Sequence, residues 1–178
     1  YKEAFQKAIR SLETGRYGLG FAKDYNEKSK EELLRMLATP SSDRHFIMYE
    51  ALRKGATVDE IFDITKVKHY FVEQMKELVE EEEAIAKSKG SLPSDEQLIS
   101  AKKNGFSDKY LSQILAIPED DIRNKRIELG IEEAWEGVHV SGTKDSAYYY
   151  STYNADDKNP VSEEKNKIMI LGGGPNRI

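Results

Sequence analysis

A stretch of this chain is written twice. Ala51, Gly55, Thr57, Ile61, Ile64 and Val67 return 50 positions later as Ala101, Gly105, Ser107, Leu111, Ile114 and Ile117. Each copy reads as a helix, a glycine stop, a hydroxyl N-cap, a short helix, a turn and a further helix. One such unit cannot bury its own apolar face, so two copies predict a pair packed on each other. Ile61, Ile64, Leu111 and Ile114 hold equivalent inward positions and are expected in that core.

Helix signals continue on both sides of the repeat. Tyr1 to Glu13 is predicted helical, with Phe5, Ala8, Ile9 and Leu12 at steps of three and four. Ser29 with Glu32 and Thr57 with Glu60 are capping boxes, and Ser94 with Gln97 forms a third. Thr39-Pro40 reads as an N-cap followed by proline at the first helical position, opening a helix through Phe46, Ile47, Ala51 and Leu52. The longest helix is expected from about Lys66 to Gly90. It carries Val67, Tyr70, Phe71, Met75, Leu78, Val79 and Ile85 as one apolar stripe, with the glutamates mostly opposite. Ser107 and Pro118 open two more helices, and Gly130 closes the last. After that the helical period stops. The segment around Tyr148-Tyr149-Tyr150-Ser151-Thr152-Tyr153 reads as an irregular linker pinned to a neighbouring surface by its rings. Lys167 to Leu171 reads as a short buried strand followed by glycines. The fold class expected is therefore all-α: a multi-helix orthogonal bundle with two helix-turn-helix-like repeats, then an irregular linker and one terminal β-strand.

Composition removes several functions. The chain has no cysteine, hence no disulfide frame, thiolate nucleophile or cysteine zinc knuckle. His45, His69 and His139 are far apart in sequence and lack local ligand partners, so no metal site is expected. No apolar run approaches the roughly 20 residues of a membrane helix, no secretory signal opens the chain, and a cytoplasmic location is expected. The helices after the repeated turns offer Lys66, Lys68 and His69, and Arg123, Lys125 and Arg126, as a helix-turn-helix regulator would. A net charge of −5 and the run Glu80-Glu81-Glu82-Glu83 repel phosphate, and packing explains the repeat better than a nucleic-acid partner does. No nucleophile–base pair appears, so no catalytic residue is predicted. The one cofactor-type motif is the loop Gly172, Gly173, Gly174, Asn176 and Arg177, which fails G-x-G-x-x-G because Arg177 fills the last glycine position. For association, Tyr70, Phe71 and Met75 interrupt the charge on one helix. Arg44, Arg53 and Lys54 could meet the glutamate run of another copy.

Taken in order, these pieces resemble the large subunit of carbamoyl phosphate synthetase. Phe5 to Glu13 looks like the closing helix of that subunit's first ATP-grasp unit. Thr39 to Arg44, Glu50 to Gly55 and Gly105 to Asp108 resemble its helical central domain, and Tyr148 to Tyr153 its exit segment. Ile170 to Ile178 resembles the start of the second synthetase unit. The resemblance implies a division into 1–14 (closing helix), 15–135 (helical oligomerization domain), 136–165 (linker or exit segment) and 166–178 (first strand and glycine loop of the second unit). It implies a non-catalytic connection domain, cut from a ligase that makes carbamoyl phosphate from bicarbonate, glutamine-derived ammonia and two ATP. ATP with magnesium or manganese would serve the flanking units, and none of them this segment. The partners implied are the flanking units, other large subunits and a small glutamine amidotransferase subunit. Without the resemblance, the residues fit a free-standing acidic helical interaction module or a degenerate helix-turn-helix regulator; the abrupt first helix and the closing strand argue for a piece of a longer chain.

Overall fold

The structure is a computed structural model that describes residues 1–12, 14–21, 25–142, 147–157 and 162–169. Among these residues the elements are α1 (Lys2–Ser11), a 3₁₀ turn (Tyr25–Glu27), α2 (Lys30–Leu37), α3 (Arg44–Arg53), α4 (Val58–Thr65), α5 (His69–Ala86), α6 (Asp95–Lys103), α7 (Asp108–Leu115), α8 (Glu119–Glu128), β1 (Ala134–His139) and β2 (Ala147–Thr152). The fold is mainly α, as the sequence predicts.

The repeat is reproduced in backbone detail. Helices α4 and α7 have the same length at an offset of 50, and both are capped at the C-terminal end by a left-handed residue, Lys66 at φ 57° and Ala116 at φ 53°. The stops Gly55 and Gly105 take φ 86° and 94°, where a side chain would be strained. In each copy the amide three residues past the helix returns to the equivalent carbonyl: Ala56 N–H to Ala51 O and Phe106 N–H to Ala101 O, both 2.9 Å. Capping boxes form at Ser29/Glu32, Thr57/Glu60 and Ser94/Gln97.

Helix α5 is the spine, touching α1, α3, α4 and α7. The second copy joins the first through it. Helix α3 is buried from Phe46 to Leu52, on all sides, as a helix in the middle of a bundle must be. One hydrophobic cluster runs from Ile9 of α1 to Ile122 of α8.

The structure departs from the sequence reading at several points. Thr39-Pro40 does not open α3, which begins at Arg44 behind Asp43; Pro40 follows the last turn of α2 as a helix stop. Ile61, Leu111 and Ile114 are buried, but Ile64 is 36% exposed. Position 64 lies about 60° around the helix from Ile61, so a helix covered on a narrow face leaves it at the edge. The stripe on α5 also divides: Met75 to Ile85 are inside, whereas Tyr70 and Phe71, in the first turn, are 54% and 41% exposed. The segment expected to be irregular contains an antiparallel hairpin pairing Ala134 with Thr152 through His139 with Ala147. Its strand formers Trp135, Val138 and Tyr148 to Tyr150 are exposed, so there is no apolar–polar alternation to betray it. Those three tyrosines are 58–64% exposed and not pinned to this domain. Of the expected terminal strand, 167–169 are outside any strand, with Ile168 and Met169 90% and 84% exposed. A lone strand has no ladder to join. Ile170 and Leu171 lie outside the described residues.

Candidate functional site

The densest polar chemistry lies inside the bundle. Glu82 of α5 is 3% exposed although it stands in a run of four acids. Its Oε2 accepts hydrogen bonds from the hydroxyls of Tyr49 (2.5 Å) and Tyr110 (2.6 Å), and its Oε1 accepts one from Arg53 Nη2 (2.6 Å). Arg53 Nε donates to Glu50 (3.2 Å), and its Nη1 to Glu83. The Tyr110 hydroxyl accepts from the Gly20 amide at 2.8 Å. This hub ties α3, α5 and α7 to the loop before α2. A Cβ on Gly18 would overlap the Tyr110 ring, and one on Gly20 would meet its hydroxyl, so both positions need glycine. Burial pushes both phenols well above their ordinary pKa, and the Glu82 charge adds to it, so they remain neutral donors. Burial works against the Arg53 charge, but Glu82 outweighs it and holds the guanidinium protonated.

A second cluster lies where α1, the turn after α6 and the end of β2 with the residues following it meet. Glu3 accepts from the Thr152 hydroxyl (2.6 Å), the Tyr153 amide (3.1 Å) and the Asn154 side chain (2.7 Å), and pairs with Lys7 (3.0 Å). Asn154 also donates to Lys103 O at 2.8 Å, and Lys7 to the Ser151 carbonyl. Buried Lys102 bonds Asp108 (2.6 Å) and Phe106 O (2.9 Å), while Arg126 reaches Asp108 at 3.1 Å. Burial raises the Glu3 and Asp108 carboxyls, but the surrounding donors and cations carry both below their ordinary values.

At the surface, Tyr70 and Phe71 form an aromatic corner with Tyr1, itself 47% exposed; the Tyr1 ring lies 5.9 Å from Tyr70 and 5.3 Å from Phe71. Phe5 stacks behind Tyr1 at 5.5 Å. Met75 is buried in the core. Arg44 donates to Thr65 O at 3.1 Å, Lys54 is exposed, and Arg53 is spent on the glutamates of its own chain. Sequence reasoning missed Tyr1, 69 residues from Tyr70, and Glu82, whose neighbours disguise it. The loop Gly172, Gly173, Gly174, Asn176 and Arg177 lies outside the described residues. His69 bonds Asp59 at 2.9 Å and stacks on Phe62. Among the described residues, no three His, Cys, Asp or Glu are grouped to hold a metal ion, and no helix is long and apolar enough to cross a membrane.

A helical bundle whose charged clusters brace its own elements, and which exposes aromatic rings at one corner and along its hairpin, belongs to the class of helical scaffold domains. Residues 1–130 match the family described as carbamoyl-phosphate synthetase large chain, oligomerisation domain, and the chain belongs to that family. It is 39% identical over 185 residues to the carbamoyl phosphate synthase large chain of Archaeoglobus fulgidus, covering 100% of this chain and 17% of the relative. The Nostoc sp. large chain is 37% identical over 181 residues, covering 100% of this chain and 16% of the relative. The arginine-specific large chain of Arabidopsis thaliana chloroplasts is 37% identical over 182 residues, covering 100% of this chain and 15% of the relative. The chain thus spans about a sixth of the length of these curated relatives.

Proposed function

We propose that this oligomerisation domain acts without catalysing, by joining copies of a large chain and setting the relation between two flanking synthetase units. The whole enzyme would make carbamoyl phosphate from bicarbonate, ammonia released from glutamine by a small amidotransferase subunit, and two ATP. ATP and its magnesium or manganese would be held by the flanking units, in the cytoplasm. Residues 1–14 would close the first unit, 15–135 form the association domain, 136–165 lead out, and 166–178 begin the second unit with the loop Gly172, Gly173, Gly174, Asn176 and Arg177.

The observation that carries self-association is the aromatic corner. Tyr1, Tyr70 and Phe71 keep roughly half their surface in water in a chain that is one-third charged, and aromatic residues are what interface centres are rich in. Met75 is buried in the core, and Arg44 and Lys54 are the candidates for charged contacts elsewhere on the surface. Arg53 serves the fold and contributes to an interface only through it.

Sedimentation of the chain across a concentration series tests this reading. Reversible association is expected, weakened at least tenfold in Tyr70→Ser/Phe71→Ser, with circular dichroism unchanged. A strict monomer at every concentration would overturn self-association by this domain. Association lost in high salt but retained in the double variant would move the contact to the charged helix faces around Arg44 and Lys54.

A further inference from the structure

Beside the junction of α1 with the second repeat copy lies a cavity of about 220 Å³, room for about seven waters at the roughly 30 Å³ each takes in the liquid. Lys7 and Arg10 of α1, Lys102 of α6 and Arg126 of α8 line it, with the carboxylates of Glu3, Asp108 and Glu133.

The acids are already engaged. Asp108 is shared by two cations, Lys102 and Arg126. Glu3 is held by Lys7 and by the end of β2, and Glu133 accepts the Tyr153 hydroxyl at 2.9 Å. Arg10, in contrast, makes one bond among the described residues, from Nη1 to the neutral carbonyl of Gly105 at 2.6 Å, and no described carboxylate is within ion-pair distance. Arg126 uses Nε on Asp108 and Nη1 on Ile131 O. Two guanidinium forks therefore stand on the wall of one cavity with N–H donors to spare.

We propose that this cavity binds a small oxyanion, a phosphate or a carboxylate, between Arg10 and Arg126. A guanidinium presents paired N–H donors in the plane that matches two oxygens of such a group. Glu3 and Glu133 act on Arg10 through space without bonding it, and an anion entering here adds the direct contact that neither makes. Burial lowers the Arg10 pKa against the pull of Glu3 and Glu133, and burial lowers Lys102 against Asp108, with Arg126 and Arg10 adding to the fall. At Arg126 burial is outweighed by Asp108, and the pKa rises. The bound anion bridges α1 to α8 and so strengthens the same junction that Glu3 makes with 152–154.

The test is thermal unfolding of the 178-residue chain in inorganic phosphate, sulfate, acetate or succinate against chloride, at equal ionic strength and pH, with amide NMR shifts recorded at 105–108. Saturable stabilisation at millimolar anion is expected, with shifts confined to this junction. Phosphate and sulfate acting without acetate or succinate assigns a phosphate-type ligand; the reverse assigns a carboxylate. Arg10→Gln should weaken the apparent Kd at least tenfold, and Arg10→Lys, which keeps the charge but loses the fork, should weaken it less. Lys89→Gln, at an exposed position away from the cavity lining, should change nothing. Stabilisation that follows ionic strength without saturating, shifts spread over the surface, or an unchanged Kd in Arg10→Gln would each overturn the proposal.

Discussion

Glu82 shows how little a residue's type says about its place. Glu80 and Glu83 are exposed and Glu81 half-buried, because 100° per residue swings one member of the run inward toward Tyr49, Tyr110 and Arg53. Removing one partner of a buried charged network leaves the others uncompensated, at about 3–5 kcal/mol. Glu82→Ala should therefore cost about that much in urea denaturation, while Glu80→Ala should stay within about 0.5 kcal/mol. The repeat offers a sharper contrast. Leu111 and Ile114 are 0% and 4% exposed, and truncating either to alanine should cost about 2–5 kcal/mol. Ile64→Ala, at the position equivalent to Ile114, should cost about 0.5 kcal/mol because its side chain is already at the edge. Equal losses at 64 and 114 would show the two copies to be packed alike.

At the level of elements, the duplicated helix–stop–cap–helix unit folds twice the same way but is used differently. Gly55 and Gly105 share a positive φ, so alanine strains both, by about 1 kcal/mol. Around Gly55 the space is open, whereas a Cβ on Gly105 would lie 2.7 Å from the Glu3 backbone, because α1 crosses there. Gly105→Ala should therefore destabilise clearly more than Gly55→Ala, and its hydrogen-exchange protection should fall in α1 as well as at the turn. The second copy also replaces apolar pairs with charge. Leu52 and Val58 of the first copy correspond to Lys102 and Asp108 of the second, which bond each other at 2.6 Å. That exchange faces α1 and residues 151–154, where the first copy has no counterpart.

For the whole molecule, the junction around Glu3 and Asp108 makes stability depend on acid. Both carboxyls titrate lower in the folded chain than their ordinary values of 4.5 and 3.8. A depressed folded pKa contributes stability that is fully present above the unfolded value and is lost as pH falls through the folded one. The melting temperature should thus hold from neutral pH to about 5 and decline through 4 and below. Glu3→Gln should flatten the upper part of that decline and raise amide exchange at 151–154 with little change at Leu111. Uniform exchange across the molecule would mean that the residues after β2 are held by something other than α1.

Caps, stops and the repeat were legible because they are local: a hydroxyl three residues before a glutamate or glutamine, or a glycine after the last apolar position, closes its hydrogen bonds within one turn. The same holds for the mainly α fold and for Ile61, Leu111 and Ile114, whose spacing follows the helical period. The tertiary structure alone decided which face of each helix is covered, since that depends on neighbours 20 to 150 residues away in sequence, as with Glu82 beside Tyr110 or Glu3 beside Thr152. It also decided that Tyr1 joins Tyr70 and Phe71, that Arg53 is drawn into its own chain, and that Arg10 and Arg126 share a cavity. Local backbone geometry is set by short-range sterics and hydrogen bonding, whereas the company a charged side chain keeps is settled only when separate elements pack.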